Sequence, residues 1–126
     1  MKKLLIVDDE EEIVTFLRDY FSAKGIYTVL TATSKEGAVQ ALHAEQPDLM
    51  LLDLKLHHQL EGYEILELAK QISSNTKVIV ISAVEERGAI DKALKLGAVN
   101  YITKPVSLEY LENEVMEKLK AAAEGE

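Results

Sequence analysis

Five stretches of the chain carry the hydrophobic pattern of strands. Leu4-Leu5-Ile6-Val7, Leu49-Met50-Leu51-Leu52 and Val78-Ile79-Val80-Ile81 are apolar at every position. Without alternation they suit strands covered on both faces. Tyr27 to Thr31 is short and rich in β-branched residues, and Asn100 to Thr103 supplies a fifth strand. Between them lie segments with helical spacing of apolar residues. The first places Ile13, Phe16, Leu17, Tyr20 and Phe21 on one face and ends at Gly25, where a C-cap glycine belongs. The second opens at Thr33, which has capping-box spacing to Glu36, turns Ala38, Ala41 and Leu42 inward, and stops at Gln46-Pro47. The third carries Ile65, Leu68, Ala69 and Ile72, is opened by Gly62 and is broken at Asn75. The fourth buries Ile90, Ala93 and Leu94 and closes at Gly97. The fifth is capped by Ser107, buries Leu108, Leu111, Val115 and Leu119, and frays at Gly125. Apolar strands alternating with amphipathic helices predict an α/β domain: a five-stranded parallel sheet with helices on both faces. Right-handed crossovers leave few topologies.

Composition narrows what such a domain does. The 126 residues suit one domain, with 48% hydrophobic and 29% charged residues. With 14 Lys and Arg against 22 Asp and Glu, the net charge is −8. That disfavours binding to nucleic acid or to an anionic membrane surface. There is no cysteine, hence no disulfide framework and no thiolate metal site. The apolar run after Met1-Lys2-Lys3 is too short for a signal peptide, and no run suits a membrane span. A cytoplasmic location is the expectation.

The chemistry gathers at the C-terminal ends of the strands, where open parallel sheets bind ligands. The first strand ends in Asp8 and Asp9, the third in Asp53, the fourth in Ser82, the fifth in Lys104-Pro105. Each residue alone also suits a turn or a cap. Together, three carboxylates converging on one point repel unless a cation intervenes. All-oxygen ligands favour Mg²⁺ over Zn²⁺. A cation, a lysine and a hydroxyl around one carboxylate make a place for a phosphoryl group, with Asp53 able to act as the nucleophile.

Val7-Asp8-Asp9, the apolar strand ending in Asp53, Ile81-Ser82-Ala83 and Tyr101-Ile102-Thr103-Lys104-Pro105 together resemble the receiver domain of bacterial two-component response regulators. The resemblance runs from about Lys2 to about Leu119. It implies a flavodoxin-like fold with strand order 2-1-3-4-5, a receiver domain over residues 1–120, and a tail or linker start over 121–126. It assigns Asp53 as phosphoacceptor and Asp9 as direct Mg²⁺ ligand. Asp8 holds the ion through water, and Lys55 offers its backbone carbonyl to it. Lys104 pairs with the phosphoryl oxygens beside a cis bond to Pro105. Ser82 is the switch hydroxyl and Tyr101 the aromatic that moves with it. The surface of helix 4, strand 5 and helix 5 then responds to phosphorylation. Partners implied are a sensor histidine kinase or phosphotransfer protein, and a downstream effector or output domain. No output domain is expected within these residues. The domain promotes its own phosphotransfer and dephosphorylation but is no enzyme on an external substrate.

Other readings keep a place. A receiver-like scaffold working without phosphorylation would be expected to lack an acid or the lysine. A small phosphatase with an aspartyl intermediate would need a cap or second general acid. Ser82 also suits a plain strand end, and Tyr101 plain packing. Glu10, Glu11 and Glu12 suit a helix N-terminus, and Glu109, Glu112, Glu114 and Glu117 a solvated face. The loop Lys55–Gly62 lacks the proline usual in the family and is one residue longer; its His57-His58 pair reads as solvated rather than as a metal or acid–base pair. Lys55 and Val84 are expected to flank the entrance and set how fast water removes the phosphoryl group. Replacing Val84 by a polar residue is therefore expected to change the dephosphorylation rate, read by loss of the phosphoryl mass with time.

Overall fold

The computed structural model describes residues 1–57, 60–83 and 87–124, with Arg87 described in its backbone only. His58, Val84 and Gly125, each named in the sequence reading, lie outside the described residues. The elements run β1 Lys2–Val7, α1 Glu11–Lys24, β2 Tyr27–Ala32, α2 Lys35–Glu45, β3 Leu49–Leu52, α3 Gly62–Ile72, β4 Lys77–Ser82, α4 Arg87–Lys95 and β5 Asn100–Thr103. The expected fifth helix comprises α5 Leu108–Tyr110, a π-helical turn Leu111–Val115 and α6 Met116–Glu124. Helical backbone dihedrals continue through Tyr110, Leu111 and Met116.

All strand pairs are parallel and the order is β2-β1-β3-β4-β5, as the resemblance implied. Two cores explain why the strands show no alternation. Leu4, Ile6, Leu49, Leu51, Ile79 and Ile81 face Leu17 and Phe21 of α1 and Leu111, Val115 and Leu119 of the last helix. Leu5, Val7, Met50, Leu52, Val78 and Val80 face residues of α2, α3 and α4. Successive side chains alternate between the two layers, and both layers are apolar.

The helix faces differ from the periodic reading in places. On α1 the buried stripe is Val14, Leu17 and Phe21, with Phe16 turned to its exposed margin. On α3, Leu66 is buried and Leu68 only half-buried, and the helix already ends at Ile72 with Ser73 as cap. On α4, Ala89 and Ala93 meet the core while Leu94 is 45% exposed. Small residues four apart let this helix lie close to its neighbours, and Leu94 falls outside their stripe. Lys92 of α4 rests over the Tyr63 ring of α3, 4.2 Å from its centroid. Leu108, at 57% exposure, lies in the first turn of α5 before the helix meets the sheet. The cap of α2 is Ser34 rather than Thr33: its hydroxyl accepts from Gly37 N at 3.1 Å. Glu36 then falls one position short of the reciprocal partner. Ser107 caps α5, accepting from Tyr110 N, and Gly25 and Gly97 adopt φ of +70° and +114°.

Gly62 ties the fold to the site. Its N–H donates to Leu54 O at 2.8 Å. A Cβ at this position would stand 2.5 Å from Asp53 O and press on the Leu54 backbone. Only glycine lets α3 begin so close to the end of β3. Gly62→Ala is expected to destabilise the protein by about 3 kcal/mol, read by chemical denaturation, because the obstacle is backbone.

Candidate functional site

The ladder brings the strand ends together. Val7 of β1 pairs with Leu52 of β3, so the next residues, Asp8 and Asp53, emerge side by side. This is where the strand order reverses, the position at which doubly wound sheets bind ligands. Asp53 N donates to Val7 O at 3.0 Å, and Asp8 N to Ala32 O at 3.2 Å. Both carboxylates are nearly sealed, Asp8 at 2% and Asp53 at 5% exposure. Lys104 reaches them from beyond β5, two strands away from β3, with its backbone N–H on Ser82 O at 2.9 Å. Its ammonium donates to Asp8 Oδ2 at 2.6 Å and to Asp53 Oδ2 at 3.0 Å. The Lys104-Pro105 peptide is cis, as expected.

The remaining carboxylate oxygens meet main-chain donors. Asp8 Oδ1 accepts from Glu10 N at 3.0 Å, and Asp53 Oδ1 from Lys55 N at 3.2 Å. Asp9, half-buried, accepts from His57 N at 2.8 Å through Oδ2. His57 itself sits at φ +51° with its side chain in an exposed position. Thus the longer loop engages the site through a peptide N–H. Ser82 is fully buried and lines a cavity of about 600 Å³ with Asp9, Glu10, Asp53, Lys55, Ala83 and Lys104. Tyr101 pairs in register with Val80 and packs on the core under α2, α3 and α4. Ser82 has the same strand parity as Val80 and therefore the same side of the sheet. Asp8, Asp9, Asp53, Lys104, Ser82 and Lys55 are thus gathered at one sheet edge, with Tyr101 behind them. Glu10, in sequence only a helix-start acid, also stands here. Its carboxylate stands 3.8 Å from Lys104. Acidic residues at a helix start are commonplace, so nothing in the pattern marked it.

Charge is out of balance in this cavity. Oxygen atoms of Asp8, Asp9 and Asp53 lie within 4.8 Å of one another. Burial pushes the Asp8 carboxyl up to about 6, and the charge of Asp53 adds to the rise, against the opposing bonds from Lys104 and the Glu10 N–H. Burial also works against the charge on Lys104, but the bond to Asp8 and the charge of Asp53 outweigh it and raise its pKa. Three hard oxygen donors and a carboxyl driven toward its neutral form suit a hard divalent cation such as Mg²⁺.

The chain belongs to the response regulator receiver domain family, whose model it matches over residues 4–116. Such domains work as phosphorylation-dependent switches in two-component signalling, and they commonly use Mg²⁺ at an acidic pocket. The chain is similar to the sporulation initiation phosphotransferase F of Bacillus subtilis, at 34% identity over 118 residues, covering 94% of each. It is 39% identical over 106 residues to the alkaline phosphatase synthesis transcriptional regulatory protein PhoP of the same organism, covering 84% of this chain and 43% of PhoP. It thus spans less than half of that curated relative. Among solved structures it resembles the response regulator domain of Thermotoga maritima CheB, with TM-score 0.86, 28% identity and coverage of 100% and 98%. A CheY-like receiver domain protein of Methanospirillum hungatei matches with TM-score 0.85, 30% identity and coverage of 97% and 96%. Among the described residues, no helix is long and apolar enough to cross a membrane.

The raised Asp8 carboxyl has a consequence for stability in a chelating buffer. From the ordinary 3.8 to about 6, the folded chain holds this proton while the unfolded chain releases it. Stability from this group is therefore lost as pH rises through that window, by about 3 kcal/mol, and stays lost above it. Asp8→Asn is expected to melt higher than the parent near neutral pH in EDTA, with the gap closing as pH falls toward about 4. Paired thermal melts across that range read the effect, and a gap independent of pH would contradict it.

Proposed function

We propose that the domain accepts a phosphoryl group on Asp53 from the phosphohistidine of a sensor histidine kinase or phosphotransfer protein, in a Mg²⁺-dependent reaction. What supports this above all is the ammonium of Lys104, held between the buried carboxylates of Asp8 and Asp53. In the transfer, an Asp53 oxygen forms the new P–O bond as the P–N bond to the imidazole breaks, and the imidazole leaves with the electron pair. The sealed position of Asp53 keeps bulk water from competing. Lys104 turns from the carboxylates to the incoming phosphoryl oxygens, and the Ser82 hydroxyl donates to one of them. Asp8, Asp9, Asp53 and the Lys55 carbonyl would hold Mg²⁺, which when bound neutralises charge on the transferred oxygens.

Tyr101 then follows Ser82, and the surface of α4, β5 and the last helix shifts toward a second state read by an effector or output domain. Later attack of water on phosphorus breaks the Asp53–phosphate bond and releases inorganic phosphate. On this reading the chain acts on itself and turns over no external substrate. Residues 1–120 form the receiver and 121–126 a tail or linker start, working in the cytoplasm without direct contact to nucleic acid or membrane. The name of the sporulation relative, a phosphotransferase aligned over 94% of its length, accords with a phosphoryl relay.

Intact mass after incubation with acetyl phosphate tests the reading. A gain of one phosphoryl mass is expected with Mg²⁺, and none with EDTA or in Asp53→Ala. No gain under any condition would instead favour a scaffold that works without phosphorylation.

A further inference from the structure

We infer that Glu10 is a specificity-determining residue of the phosphorylation site, disfavouring small dianionic phosphodonors. The inference rests on Asp53 being the phosphoacceptor. Glu10 occupies the N-cap position of α1, yet its side chain makes no capping bond. Its backbone is committed instead, with N–H on Asp8 and the carbonyl accepting from Ile13 and Val14 N–H. This holds the residue at the mouth of the site with its carboxylate toward Lys104, 3.8 Å away. Lys104 is already bonded to Asp8 and Asp53. Glu10 is thus an outer, third carboxylate around the one ammonium that is to meet the phosphoryl oxygens. It is also solvated, at 63% side-chain exposure.

Its place in the walls shows what it faces. Glu10 lines the cavity over Asp53 and also the adjoining apolar groove of about 560 Å³, beside Ile13, Phe16, Pro105 and Val106. It therefore stands on the ridge between them, on the approach to Asp53. Glu10 adds one fixed negative charge to a cavity whose other charged lining residues are Asp9, Asp53, Lys55 and Lys104, with Asp8 sealed beneath them. A donor's anionic charge meets this fixed charge inside one Debye length. The penalty for each unit of donor charge is on the order of threefold in rate at low salt. Acyl phosphates, as dianions near neutral pH, are slowed more than a monoanionic donor with the same transferable group.

Initial rates of Asp53 phosphorylation, with saturating Mg²⁺ and low salt near neutral pH, test this with two donors. Acetyl phosphate is a dianion that releases acetate when its P–O bond breaks; phosphoramidate is a monoanion that releases ammonia from its P–N bond. Glu10→Gln is expected to accelerate acetyl phosphate roughly tenfold and phosphoramidate roughly threefold, so their ratio rises roughly threefold. The rise should shrink at about 0.5 M salt, where screening is short-ranged. Glu10→Lys should move the ratio further in the same direction. Glu11→Gln changes the net charge equally at an exposed neighbouring position and should leave the ratio unmoved. A ratio unchanged or lowered in both folded Glu10 variants, or raised equally by Glu11→Gln, would overturn the inference while leaving Asp53 as acceptor. Failure of the unaltered protein to take up phosphoryl from either donor would overturn the acceptor reading, and this inference with it.

Discussion

Negative charge concentrated at the C-terminal edge of an apolar sheet is the constraint on which this molecule turns. Asp8 and Asp53 emerge next to each other from adjacent strands, almost sealed from solvent, with Asp9 beside them. In such a place one carboxylate raises the pKa of the next, and the Asp8 carboxyl is displaced to about 6 chiefly because burial strips its water. The Lys104 ammonium offsets part of this by bonding both buried acids. It does not balance it. The site thus carries a built-in demand for further positive charge, which suits a divalent metal ion.

The sheet is what makes this arrangement rigid. Both layers of side chains are apolar, so the strands cannot slide without exposing one core or the other. Main-chain donors from Glu10, Lys55 and His57 each take one carboxylate oxygen, which orients the acids from the loops that follow β1 and β3. Gly62 allows the loop after Asp53 to turn back tightly into α3. The strand ladder and these loop donors thus keep the acids in register at the sheet's edge. Among its described residues, α4 meets the core through Ala89 and Ala93, and its Lys92 rests over the Tyr63 ring.

Much of this was legible in one dimension because it depends on local order. Uninterrupted apolar strands report burial on both faces. Asp8, Asp9, Asp53, Ser82 and Lys104 each fall directly at or after a strand's end, so a parallel sheet alone brings them to one edge. Cap glycines at Gly25 and Gly97 follow from the left-handed backbone that ends those helices. The tertiary structure decided what depends on neighbours far along the chain. Helical spacing tolerates a rotation of the buried stripe, so only packing chose Val14 over Phe16 and Ala89 over Leu94. The bond of His57 N to Asp9 spans 48 positions, and that of Lys104 to Asp8 spans 96. Glu10 was least legible of all. Its composition and place suit any helix start, and only the fold sets its carboxylate against a lysine from the opposite end of the chain. Periodicity encodes which face is apolar; the field that a charge meets is a sum over distant residues, and folding alone assembles it.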